Sequence, residues 1–139
     1  MNNLNSIILE GNVSIAPRLV ATSTIDGSKL GVFNIATNRY YKDKEGNTQK
    51  ETFFIEIICW GSLAEGCVKN LELGTSVRVN GRLKISNYTA KDGSVKLNAQ
   101  IIAQHLEFRR KRKADGDEEN VILENTDEMI HEPIAFYTF

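Results

Sequence analysis

The run TSVRVNGRLKISNY, residues 75 to 88, alternates apolar and polar side chains along its whole length. Val77, Val79, Gly81, Leu83 and Ile85 fall on one side; Arg78, Asn80, Arg82, Lys84, Ser86 and Tyr88 fall on the other. That period of two belongs to a strand half-buried in a sheet. The turn dipeptide Asp92-Gly93 leads into a second extended run, from Ser94 to Phe108. There Val95, Leu97, Ala99 and Ile101 read as inward, and Lys96, Asn98, Gln100 and Gln104 as outward. Gly81 inside its strand predicts a bend or bulge, which small barrels need at their corners.

Earlier in the chain, Ser6 to Val13 is a strand signal, interrupted by Pro17; Leu19 to Thr24 continues as an edge strand up to the turn at Asp26-Gly27. GVFNIATNRYY, residues 31 to 41, is a second extended run, followed by a polar loop over 42 to 50. TFFIEIICW, residues 52 to 60, is the third. Its Phe53, Ile55, Ile57 and Cys59 read as a core face, with Phe54, Glu56, Ile58 and Trp60 opposite. SLAEGCVKNLELG then carries Leu63, Cys67 and Leu71 at helical spacing, with Gly74 as a C-terminal stop. Three strands, one short helix and two strands make a mainly β chain. The order is the plan of an OB-fold, a five-stranded Greek-key barrel with its helix between the third and fourth strands.

Charge divides the chain more sharply than the net value of -1 implies. All 17 Lys and Arg lie in residues 1 to 113, against 10 acidic residues, which gives that span +7. Residues 114 to 139 hold the other 8 acids and neither Lys nor Arg. The organisation read from this is a domain over 1–108, a basic junction RRKRK over 109–113, and an acidic, flexible C-terminal tail over 114–139. A basic body suits a polyanion, and an acidic tail can compete for it or recruit basic partners. The N-terminus lacks the basic and apolar regions of a signal peptide, and no stretch approaches ~18 apolar residues, so a cytoplasmic protein without membrane segments is expected. Cys59 and Cys67 match no zinc spacing and read as reduced, partly buried thiols; no metal or cofactor is expected.

No catalytic constellation emerges, so the chain reads as a binder and not an enzyme. What emerges is aromatics interleaved with cations. Tyr88 shares a face with Arg82 and Lys84, Tyr40 and Tyr41 lie between Arg39 and Lys42, and Phe54 and Trp60 share the non-core face of the third strand. Unpaired bases stack on aromatic rings, each worth ~1–3 kcal/mol, while phosphates need diffuse positive charge. Taken alone, Phe54 and Trp60 suit a second packing layer equally well, and RRKRK suits a solvated strand end.

NSIILEGNV, Pro17, FNIATN and WGSLAEGCVKNLELGTSVRVNGRLK resemble the bacterial single-stranded DNA-binding protein family, over residues 3 to 108. The resemblance implies a homotetrameric OB-fold that wraps single-stranded DNA, with bases stacked at the positions of Tyr41, Phe54, Trp60 and Tyr88. Tyr41 has the parity of the core candidates Phe33 and Ile35, so this role requires a bulge or twist near Asn38, with Tyr40 as a substitute. Arg39, Lys42, Arg82, Lys84 and Lys96 would meet phosphates. Glu56 stands where a basic residue is common in the family. The tail lacks the usual long linker and ends in EPIAFYTF; Glu132, Pro133, Ile134, Phe136 and Phe139 are candidates for docking replication and repair proteins. The expected function is sequence-independent binding of single-stranded DNA in replication, repair and recombination, at the nucleoid. The alternatives are a primosome-type OB-fold assembly protein acting through protein contacts, an OB-fold subunit of an enzyme, and an RNA-binding OB module.

Overall fold

In the computed structural model, which describes residues 1–20, 29–111 and 118–124, the alternating runs become strands. They are β1 (Ile7–Val20), β2 (Leu30–Lys42), β3 (Thr48–Trp60), β4 (Ser76–Thr89), β5 (Val95–Lys111) and β6 (Glu118–Glu124), with α1 (Gly61–Asn70) between β3 and β4. The sheet runs β3-β2-β1-β4-β5-β6, and a parallel pairing of β3 with β5 closes β1–β5 into a barrel. This is the expected OB-fold, with its helix between the third and fourth strands.

Closure requires β1 to serve two neighbours. Its first half pairs with β4 from Ile7↔Gly81 to Asn12↔Ser76, and its second half pairs with β2 up to Val20↔Leu30. Pro17 does not end the strand. It falls in an irregular stretch, where the register with β2 shifts between Ile15 and Arg18, and a residue without a ladder N–H is tolerated there. The expected turn at Asp26-Gly27 and the end of the expected edge strand lie outside the described residues.

The predicted bulge at Gly81 is present. The β4–β5 register slips between Asn80 and Gly81, and a Cβ at Gly81 would run into the carbonyl oxygen of Ile102. The slip changes the parity of β5: Ile101 and Ala103 are buried before it, Leu106 and Phe108 after it, while Gln104 stays exposed. The barrel interior is filled by Val13, Phe33, Ile35, Ile57, Cys59, Val77, Val79 and these β5 residues, and α1 plugs one end with Leu63, Ala64 and Cys67. Cys59 and Cys67 meet there, with Sγ atoms 3.6 Å apart, and the hydrogen bond with Cys67, with burial, pushes the Cys59 thiol well above its ordinary range.

Two hairpins outrun this core. β2 and β3 stay paired from Leu30↔Trp60 to Lys42↔Thr48, and β4 and β5 reach Thr89↔Val95. Phe53, Val95 and Leu97, expected inward, are exposed for that reason, as is Ile85. Periodicity assigns them a face, but no second layer reaches that face so far along the ribbon.

Residues 118–124, within the segment read as tail, add a strand to β5 from His105↔Glu124 to Lys111↔Glu118. β6 takes over the β5 edge where β3 leaves it, after Ile102. Val121 and Leu123 pack on the core, and a Cβ on Gly66 of α1 would stand 3.2 Å from the Leu123 methyls. His105 bridges Glu107 (Nε2, 3.1 Å) and Glu124 (Nδ1, 2.7 Å). The hydrogen bond to Glu107 above all, with that to Glu124, raises its pKa.

Candidate nucleic-acid interface

Paired residues in a ladder share a face, so register defines the outer surface of the barrel. Glu56 pairs with Gln100 and Ile58 with Ile102 across β3–β5; Gln100 pairs with Lys84 and Ile102 with Arg82 across β5–β4. Phe54, Glu56, Ile58 and Trp60 therefore continue through Gln100 and Ile102 to Arg82 and Lys84. Farther along the same hairpin face, Tyr88 pairs with Lys96. Three separate stretches of sequence meet on one sheet surface.

The expected stacking residues are not equivalent there. Phe54 is 67% exposed, and Tyr88 is half-buried among Lys84, Ser86 and Lys96 on its face. Trp60 differs from expectation: it is only 7% exposed and packs with Leu30, Val32, Ile58, Ile102 and Val20 in a second apolar cluster outside the barrel. As placed, its ring offers no open face to a base. Among the described residues, its buried Nε1 finds no hydrogen-bond acceptor.

Tyr41 also sits apart. The β2–β3 register runs without a shift past Asn38, so the bulge needed to bring Tyr41 round is not there. Tyr41 shares the opposite face with Phe53, and Tyr40 takes the face of Phe54. The Arg39 guanidinium lies 4.9 Å from the Tyr41 ring centroid and donates from Nη2 to Glu51 Oε2 at 3.1 Å. Arg39 thus arrives already engaged with an aromatic and an acid. Lys42 and Lys96 are exposed, and Arg82 and Lys84 half-buried.

A feature the sequence left unexplained lies between Phe54 and Trp60. Glu56 is 7% exposed and its Oε1 accepts from Gln100 Nε2 at 2.7 Å; Gln100 is itself 2% exposed. Burial raises the Glu56 pKa to about 7, against the opposing effects of the Gln100 hydrogen bond and the charge of Arg18. No motif flags this pair, since its partners are 44 residues apart. The tail candidates Glu132, Pro133, Ile134, Phe136 and Phe139 lie outside the described residues.

Comparison with known proteins agrees with this architecture. Single-stranded DNA-binding protein 2 of Chlorobaculum tepidum is 33% identical over 133 residues, covering 94% of this chain and 89% of the relative. A Plasmodium falciparum SSB, solved in complex with ssDNA, matches with a TM-score of 0.66 over 89% of this chain and 98% of its own; at 22% identity the likeness speaks for the fold alone. The small single-stranded DNA-binding protein of Streptomyces coelicolor matches with a TM-score of 0.62 and 27% identity, over 76% of this chain and 94% of its own. The sequence signature of the Single-strand binding protein family matches residues 4–109, and the chain belongs to that family.

Proposed function

We propose that the protein binds single-stranded DNA without regard to base sequence, and that it acts by covering and protecting the strand in replication, repair and recombination and not by catalysis. One observation carries the reading: in a chain of the single-strand binding protein family, Phe54, Tyr88, Arg82, Lys84 and Lys96 register on one outward surface. Phe54 and Tyr88 stack bases, and Tyr40 joins them from the face it shares with Phe54. Arg82, Lys84, Lys96 and Lys42 meet phosphates. Stacking uses the face of a base, which all four bases have, and so gives little sequence preference. Tyr41 and Arg39 form a separate aromatic–cation pair on the other side of the β2–β3 ribbon, placed to hold a strand that wraps around it.

Several copies act on one continuous strand as a homotetramer. Support for self-association comes from the exposed Ile85, Val95 and Leu97 of the β4–β5 hairpin, an apolar area that an assembly would bury. Mass determination in solution tests it: a monomer at micromolar concentration refutes the tetramer. The acidic tail, through Glu132, Pro133, Ile134, Phe136 and Phe139, docks replication and repair proteins at the nucleoid in the cytoplasm.

The decisive experiment is titration of a labelled oligo-dT by fluorescence anisotropy across a salt series. Tight binding at low salt, a log-linear loss of affinity with salt and much weaker binding to duplex are expected. Equal affinity for duplex, or none for oligo-dT, refutes the function.

A further inference from the structure

A carboxyl group held out of water at the foot of a DNA-binding surface has consequences for how that surface binds. Glu56 lies two residues from Phe54 on the same face, about 7 Å along the strand. Its register neighbours are Asn34 on β2 and Gln100 on β5. One step further along lie Ile58 and Ile102, part of the apolar cluster that buries Trp60. Its hydrogen bond comes from Gln100, itself almost fully buried. The charge that acts on Glu56 is that of Arg18, from β1; Lys84 and Arg82 of β4 lie one strand farther away, beside Gln100 and Ile102. From β2 and β5 the facing groups are the uncharged amides of Asn34 and Gln100.

We propose that the Glu56–Gln100 pair is part of the single-stranded DNA surface and that binding DNA is coupled to protonation of Glu56. The inference rests on the function proposed above. Phosphates held near Phe54 lie within a Debye length of Glu56, ~10 Å at 0.1 M salt, and the apolar surroundings leave little water between them to screen the repulsion. The same phosphates draw on Arg18, and so withdraw the positive charge that favours the carboxylate. Both effects raise the proton affinity of Glu56 when DNA binds. By linkage, the complex takes up a proton and affinity depends on pH. Burial has already brought the group to about 7, so the coupling operates around neutrality.

The test uses the full chain, labelled oligo-dT and constant ionic strength from pH 6 to 8.5, a range below the titration of thymine. Wild-type affinity should fall about tenfold as pH rises, if DNA raises the Glu56 pKa by about one unit. Glu56→Gln should be nearly flat with pH and should bind at pH 8.5 about as tightly as the wild type does at pH 6. His105 is present in both proteins and its contribution cancels in the comparison. Calorimetry in buffers of different ionisation enthalpy reads proton uptake directly; the wild type should take up a fractional proton at pH 7 that Glu56→Gln does not. Identical pH profiles for the two proteins, or binding at pH 7 without proton uptake, overturn the coupling while leaving DNA binding intact. Absence of oligo-dT binding at every pH overturns the functional reading and the coupling with it.

Discussion

Phe54 and Trp60 stand six residues apart on the same face of β3, yet one is open and the other is covered. The difference lies in what crosses the strand: Phe54 lies on the protruding ribbon, whereas Trp60 lies where Leu30, Val32, Ile102 and Val20 close over it. Phe54→Ala should therefore weaken oligo-dT binding by about 5- to 100-fold, the loss of one stacked base, with little change in melting temperature. Trp60→Ala should behave in the opposite way, costing ~3–5 kcal/mol of stability in denaturant titration as a buried aromatic does, and wild-type Trp fluorescence should respond only weakly to oligo-dT. Strong quenching would mean that DNA opens the cluster. Glu56 gives a third test. Folding raises its pKa to about 7 by burial, so its favourable contribution is complete below the ordinary carboxyl range and is lost as pH rises through 7. Glu56→Gln should accordingly be more stable than wild type at pH 8, by about 3 kcal/mol, and nearly equal to it at pH 4; thermal melts at both values decide.

At the scale of elements, β6 is the addition that pattern reading did not supply. EENVILE alternates well enough for a strand, but its surroundings are acidic and its partner edge, the basic end of β5, reads as a junction. Only the barrel shows that β3 leaves β5 after Ile102 and so vacates an edge for another strand. The attachment should respond to pH through His105, whose pKa is raised mainly by Glu107 and also by Glu124. Protonated His105 holds Glu124 best below the ordinary histidine range, and that hold is lost as pH rises through the raised value. Hydrogen exchange of the β6 amides, corrected for intrinsic rates, should report more frequent opening at pH 8.5 than at pH 6. Glu124→Gln should remove most of that difference; if it does not, His105 is not the group responsible.

Across the whole molecule, a body of +7 is joined to a segment of -8, and β6 holds part of that acid against the β5 edge. A chain ending at Lys113 should bind oligo-dT more tightly and retain it at higher salt, since competing negative charge is gone. It should also melt earlier, because the contacts of Val121 and Leu123 with the core are lost. Unchanged affinity would refute competition by the acidic segment. Much of this architecture was legible beforehand because it rests on local rules. Period-two alternation marks strands, the 63–67–71 spacing marks α1, and a glycine inside a strand marks the corner at Gly81. The aromatic and cationic members of the candidate interface were legible for the same reason, as residue types at fixed parity. Burial was not. Phe53 and Leu97 have core parity but lie beyond the reach of the barrel, Trp60 has surface parity but is covered, and Tyr41 stays on its own face because the β2–β3 register never shifts. Parity is a property of one strand, whereas burial depends on which distant segments close over it. For that reason the sequence alone determined the five barrel strands, the helix and the division of charge, while the tertiary structure decided which rings stay open, where Glu56 is held and that the acidic segment adds β6 to the β5 edge.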